Sequence, residues 1–444
     1  YAELLTTNVV KNVTCKNGTT ANWDNTDFSI KLKNIHTPDY CTIDFTDGYT
    51  VTLTATNGSI TPTSQTVGNG GTAKFTVTPN SGFKAELETN TCGGTLSGNT
   101  YTISNITSAK SCSITFKSST PTLLSQILKD NPTIKTRADF NTTFTETNTG
   151  TLYKATESIA GNTPKDVYYF AGDAKNNWVK FGGFYWRIIR TNHDGSIKLL
   201  YAGTSPDTTS GYIGTSSFNS TDKDPMYVGY KYGTTGSLEN NRLNTNDSTI
   251  KTYIDNWYKN NLTAYTKYLS NDAVYCNDRE LASGSTYSTS SSFNYASYGR
   301  LYTNKTPTYN CTNIKDAFSG SNSEAKLTYP IGLMTADEIA YAGGKAFTDL
   351  PSPYAWYYLN SAGGSITGST PWSWYVLSPF GWTGSFSFVW GIGDPRAPGR
   401  LFDSGASGGT SVRPSVSLLS CNLISGGDGS ANNPYIVKTD GSSC

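Results

Sequence analysis

Eight cysteines and two histidines are the residues of this 444-residue sequence whose side chains do covalent, redox or acid–base chemistry near neutral pH. The cysteines fall into four sequential pairs, Cys15/Cys41, Cys92/Cys112, Cys276/Cys311 and Cys421/Cys444, and none sits in Cys-x-x-Cys spacing. That spacing argues for local disulfides formed in an oxidising, extracellular setting, although eight cysteines allow many other pairings. His36 and His193 lie far apart in weakly structured or turn sequence, which gives no support for a Ser/His/Asp triad or a histidine-rich metal site. Asp194, Asp394, Asp403 and Asp428 stand alone in loops without EF-hand spacing. No metal, cofactor or catalytic residue is expected.

The remaining chemistry is recognition. Between Trp372 and Val416 the chain crowds Trp372, Trp374, Tyr375, Phe380, Trp382, Phe386, Phe388, Trp390 and Phe402 among Gly, Ser and Asp. Trp372, Trp374 and Leu377 precede a Ser-Pro break and are expected to pack inward. Phe380, Trp382, Phe386, Phe388, Trp390 and Phe402 alternate with glycine and polar residues, in segments too glycine-rich and proline-broken for ordinary core strands. They are expected to form an exposed aromatic patch. Rigid aromatics give contact area at low entropic cost, Arg396 and Arg400 hydrogen-bond or stack, and small polar residues adapt the backbone. The candidate ligand-binding residues are therefore Tyr375, Phe380, Trp382, Thr383, Phe386, Phe388, Trp390, Asp394, Arg396, Arg400, Phe402, Asp403, Ser407 and Thr410.

The elements that must position this block are read from composition and period. Charged residues are 15% of the chain and hydrophobic ones 36%, with 30 Tyr and 43 Gly, the usage of β-rich, turn-rich domains. A net charge of +1, from 34 basic and 33 acidic residues, gives no field to attract a nucleic acid. No apolar run is long enough to span a bilayer, and the N-terminus lacks signal-peptide regions, so any membrane or cell-wall anchoring is expected from segments outside this chain.

Residues 1–48 read as a small β-rich segment. Residues 49–118 show sharp period-two strands separated by Asn-Gly, Gly-Gly and Pro-Asn-Ser-Gly turns, a compact β-module. Residues 119–165 read as a linker with a short helix after Pro121, carrying Leu123, Leu124, Ile127 and Leu128. From 166 to 444 the spacing predicts a head: strands over 167–171, 178–190 and 197–201 with a turn at His193-Asp194-Gly195, then an amphipathic helix through Ile250, Tyr253, Ile254, Trp257 and Tyr258 capped by Asp247 or Ser248. Thr335 and Glu338 stand in capping-box spacing at the start of a second helix. Two helices, a few antiparallel strands and long loops give an α+β fold class.

Two resemblances add to this reading. Residues 50–117, with VTPNSGF and a closing strand SCSITF, resemble the internalin B-repeat module and imply a surface-protein spacer. The segments WVKFGGFYWRIIRTNHDGSIKLLY, STIKTYIDNWYKNNL, LTYPIGLMTADEIAYAGG, TSVRPSVSL and SGGDGSANNPYIV resemble secreted bacterial proteins ending in a C-type-lectin-fold domain of the formylglycine-generating-enzyme-like type. Many such proteins are similar to the variable proteins of diversity-generating retroelements. In those, a reverse transcriptase copying a template with errors at adenines rewrites a C-terminal block ahead of a closing strand, here matched by Arg413, Pro414 and Val416. From Phe380 to Ser411 there is no Lys, Glu, Gln or Met, residues that adenine change at Asn codons does not reach, although the stretch just before it lacks them too. Trp382 and Trp390, which that route does not reach either, are fixed or arise from other codons. The oxidase chemistry of formylglycine-generating enzymes needs C-terminal cysteines, and none lies between Cys311 and Cys421.

The expected function is therefore a secreted or surface-displayed bacterial ligand-binding protein, adhesin-like and not an enzyme, taking a protein or glycan on another cell or surface. The alternative is a structural or pilus-associated surface subunit that uses the aromatic block as a subunit interface.

Overall fold

The computed structural model describes residues 8–24, 29–80, 82–350, 355–363, 366, 373–393 and 398–441. Among the described residues strand makes up 42% and helix 14%, spread over several sheets. The α+β expectation is overturned: this is a mostly β protein, and the C-type-lectin fold class assigned by resemblance falls with it. The reason is visible in the second expected helix, which runs only from Ala336 to Tyr341. The long irregular stretch before it resolves into two-residue strands such as Tyr275–Cys276 and Ala317–Phe318 and into short turns of helix.

The chain divides into two units, Tyr1–Thr120 and Pro121–Cys444. In the first, Cys41–Thr56 is a 16-residue strand. Its leading half pairs antiparallel with Asn8–Cys15, and its trailing half lies between Ser64–Gly68 and a parallel partner, Lys110–Ser118. A second sheet orders Gly58–Thr61, Gly71–Pro79, Thr100–Ile106 and Thr95–Ser97. Alternate residues of both sheets, among them Leu53, Phe75, Val77, Tyr101, Ile114 and Phe116, form one buried core, as period-two patterning requires. Disulfide Cys15–Cys41 ties two paired strands, and Cys92–Cys112 ties the turn after strand Phe83–Asn90 to Lys110–Ser118.

The second unit is built on a ten-stranded sheet. Its centre is the antiparallel meander Trp178–Phe181, Phe184–Thr191 and Ile197–Tyr201, and Ser415–Leu418 closes against the last of these in the register Leu199↔Val416. Arg413 stands just ahead of that closing strand. It is buried, donates from Nη2 and Nε to the Tyr201 carbonyl at 2.9 and 3.1 Å, and lies 4.7 Å from the Trp374 ring. Carbonyls and an indole face replace a carboxylate partner here, and burial depresses the guanidinium pKa.

Helix Thr249–Asn261 buries Ile250, Ile254 and Tyr258 in the common core, and its N-cap is Ser248, whose Oγ accepts from Lys251 N at 3.2 Å. The short Ala336–Tyr341 helix carries the capping box: Glu338 N donates to Thr335 Oγ1 at 3.1 Å and Thr335 N to Glu338 Oε2 at 2.9 Å. Residues read as a linker contribute to the same unit. Leu123 and Ile127 of helix Leu123–Asp130 enter the large core, and strand Thr151–Glu157 pairs with Lys165–Tyr169. The third disulfide, Cys276–Cys311, closes the insertion between the helices. Cys444 lies outside the described residues, so the expected Cys421–Cys444 pair does too.

Candidate binding face

A six-stranded sheet presents the aromatic block. Trp374–Trp382 and Ser387–Ile392 form a hairpin, Leu401–Gly405 extends it, and Phe293–Asn294 pairs at the far end in the register Phe293↔Trp382 and Asn294↔Gly381. Both hairpin strands are buried almost throughout, on both faces, so the block's exposed side chains lie mainly at the 383–386 tip and along the outer strand.

Four of the expected binding residues are interior. Tyr375 is buried, and its Oη donates to the carbonyls of Gly408 and Gly405 at 2.6 and 2.7 Å. Burial pushes that phenol up to about 12, so it remains a donor that clamps the 405–408 turn. Trp390 is fully enclosed, with Nε1 donating to Ser297 Oγ at 3.0 Å, and Thr410 is buried as well. Trp382 is 3% exposed, and its Nε1 meets no acceptor among the described residues. The exposed-patch expectation is corrected for Trp382 and Trp390. Partners from distant segments, Phe293 and Ser297, cover them, and no local pattern announces such partners.

The remainder reach the surface. Phe386 is 41% exposed, and the Lys223 ammonium stands 3.4 Å from its ring centroid. Thr383, Asp403 and Ser407 are exposed, and Phe380, Phe388, Arg400 and Phe402 are half-buried. Ser407 Oγ donates to Asp222 Oδ2 at 2.7 Å, and Arg400 Nη1 lies 3.3 Å from Asp349 Oδ1. A Cβ at Gly391 would sit 3.1 Å from Cζ of Phe402, so glycine there lets that ring lie across the neighbouring strand. Asp394 and Arg396 fall outside the described residues, as does Trp372. Trp374 and Leu377 are buried, as expected.

The face includes residues that sequence reasoning missed. Phe380 meets Trp390 edge-on at 4.8 Å, Tyr298 at 5.3 Å and Phe347 at 6.0 Å, and Phe347 meets Tyr302 at 5.4 Å. Tyr302 is 45% exposed and Phe347 38%. Phe347 has φ +53°, a left-handed conformation that bulky side chains rarely adopt, and its N–H donates to the Leu401 carbonyl at 2.8 Å. Only the alternation of Tyr with Ser across 283–302 signals this region in the sequence.

Beside Trp382 runs an open groove of about 740 Å³, walled by residues 284–288 and 291–294 on one side and by Trp382 and Thr383 on the other. A second groove, about 340 Å³, shares Ser285 and Asn294 with it and continues to Tyr298.

Comparison with known protein families, with curated proteins and with solved structures finds no match.

Proposed function

We propose that this chain is an extracellular, surface-displayed ligand-binding protein whose recognition face is the hairpin Trp374–Trp382/Ser387–Ile392 together with the insertion packed against its end. The observation that carries the reading is the division within the aromatic block. Trp374, Tyr375, Trp382 and Trp390 are built into the core, while Phe386 stands exposed and Phe380, Phe388 and Phe402 are half-buried. Rings held on a rigid strand frame beside an open groove supply contact area at little entropic cost. The three disulfides fit an oxidising extracellular setting. No helix among the described residues is long and apolar enough to cross a membrane.

The test replaces Phe386, Phe388 and Phe402 together by Ser and measures adhesion of beads coated with the full chain to a panel of cell types, with circular dichroism to check the fold. Adhesion is expected to be lost with the spectrum unchanged; adhesion retained by a folded triple variant sinks the proposal. The retroelement resemblance adds programmed variation of the block as part of the same reading. Its check is genomic: a near-repeat of the DNA for residues 372–416, differing at adenines, beside a reverse-transcriptase gene. Without that repeat, programmed diversity is withdrawn.

A further inference from the structure

We infer that the groove between the 284–294 loop and Trp382 seats a neutral oligosaccharide. This inference rests on the ligand-binding reading above and names the class of ligand. The lining decides the class. No charged side chain lines the groove among the described residues, while Ser285, Thr286, Ser288, Ser291, Ser292 and Thr383 do. A charged ligand entering it would lose hydration without gaining a counter-charge. An apolar ligand would strand a row of hydroxyls, each able to donate one hydrogen bond and accept two. A polyol satisfies such a row in kind, and the half-buried Tyr287 ring in the wall offers a flat edge for the C–H face of a sugar ring, with Trp382 closing the floor behind it.

A peptide adding itself as a strand would need a free sheet edge. The hairpin edge at the groove is already taken, because Gly381 and Trp382 pair with Asn294 and Phe293. The walls are also fixed before any ligand arrives. A Cβ at Gly381 would come within 2.8 Å of Asn294 Oδ1, and one at Gly384 (φ +90°) within 2.9 Å of the Ser290 carbonyl, so these two glycines let the loop sit directly on the hairpin. Ser288 Oγ accepts from Ser291 N at 2.9 Å and Ser290 N at 3.1 Å, which folds the loop on itself. The volume of about 740 Å³ lies within the range of small-ligand sites, and the adjoining groove extends the path for a longer chain. Its one charged lining residue among the described residues, Arg300, is already paired with Asp278 and Asp337.

The test applies the full chain to an array of uncharged hexose and N-acetylhexosamine oligomers, an array of carboxylated and sulfated glycans, and a random peptide display library. Variants Thr286→Trp and Ser292→Trp fill the groove from exposed positions that make no core contact, and Ile134→Ser, at an exposed position of the Thr133–Thr136 strand, serves as a control outside the binding face. The expected result is binding to a subset of neutral glycans, weakened roughly tenfold or more in both tryptophan variants, the size of one or two lost hydrogen bonds, and retained in the control. Three results overturn the inference: no neutral glycan bound, neutral binding indifferent to the plugged groove, or enrichment confined to acidic glycans or peptides. The bead-adhesion assay, run on the same preparations, separates such a failure from failure of the ligand-binding reading itself.

Discussion

Glu157 Oε1 accepts a hydrogen bond from Arg190 Nη2 at 2.8 Å, with the two side chains 2% and 4% exposed. The same guanidinium donates from Nε to Glu338 Oε1 at 2.8 Å, and Lys198 Nζ reaches that oxygen at 2.8 Å. Glu338 is also the capping-box residue of the Ala336–Tyr341 helix. One buried ionic network thus joins the Thr151–Glu157 strand, the central meander and that helix. Buried pairs are costly to break from one side, because the partner is left as an uncompensated charge. Glu157→Ala is therefore expected to cost about 3–5 kcal/mol in urea unfolding, and a loss below about 1 kcal/mol, the scale of an exposed pair, would show that the network is solvated.

The same network sets a pH dependence. Burial opposes ionisation of Glu157, but Arg190 and His193 outweigh it and hold the carboxyl at about 2, against an ordinary value of 4.5. Its stabilising contribution is whole above pH 4.5 and is lost as pH falls through the folded value near 2. For His193, burial lowers the pKa, and the Glu157 carboxylate, whose Oε2 lies 3.4 Å from the imidazole Nδ1, outweighs that, so the folded pKa lies above 6.5. That contribution is whole below pH 6.5 and disappears as pH rises through the raised folded value. Melting temperature against pH is expected to fall on both sides. Glu157→Gln should flatten part of the acid limb and, by removing the partner of His193, the loss above 6.5 as well. His193→Gln should remove the loss above 6.5 and shrink the acid limb without abolishing it, because Arg190 still faces Glu157; an unchanged upper limb in His193→Gln would refute the assignment.

Glu157 also marks how far the sequence could be read. Whereas the closing strand after Arg413 was implied by resemblance and not by local pattern, the meander, the Thr335 capping box and a cap at Asp247 or Ser248 were legible because each is encoded in short runs of neighbouring residues. The fold class was not. Strands such as Tyr275–Cys276 are too short to carry a period, so the stretch looked like loop and two helices received too much weight. Glu157 sits in Thr/Asn-rich sequence with little to bury, and its partner lies 33 residues on. Trp390 looked surface-bound among glycines, yet its cover comes from Ser297 and Phe347. Burial decided by distant partners leaves no local signature.

The disulfide Cys276–Cys311 spans 35 residues and tethers the insertion that walls the groove. Chain-entropy arguments give such a cross-link about 3–4 kcal/mol. The double variant Cys276→Ser/Cys311→Ser is expected to lower the unfolding midpoint in guanidinium accordingly. It should also raise proteolytic cleavage within 283–304 before cleavage elsewhere. Cleavage that begins outside the insertion would contradict the tether.

Phe347 offers a test of stored backbone strain. At φ +53° an alanine keeps the conformational cost and a glycine does not. Phe347→Gly is therefore expected to be more stable than Phe347→Ala by about 1 kcal/mol, the reverse of the order in ordinary extended or helical backbone. Thermal denaturation of the two variants side by side reads the sign. If alanine is the more stable, the left-handed conformation at 347 is not the native one.

The division of the aromatic block makes the last prediction. Trp390 is enclosed by Phe380 and Phe347 and bonded through Nε1 to Ser297 Oγ, so Trp390→Ser empties a large core site and strands a hydroxyl. A loss of about 3–5 kcal/mol is expected. Phe386, exposed at the hairpin tip, should accept Ser within about 0.5 kcal/mol, since its ring contact with Lys223 is solvent-facing. Saturation libraries at 383, 386, 403 and 407 should therefore yield mostly folded protein, and libraries at 375, 382 and 390 mostly unfolded protein, scored by protease resistance on a display host. The contrast matters for recognition as well as folding. A face that is to change its ligand without losing its frame must confine its variation to side chains the frame does not use, and here those are the exposed residues around Phe386. Equal tolerance at both sets would mean that the aromatic core does not hold the face in place.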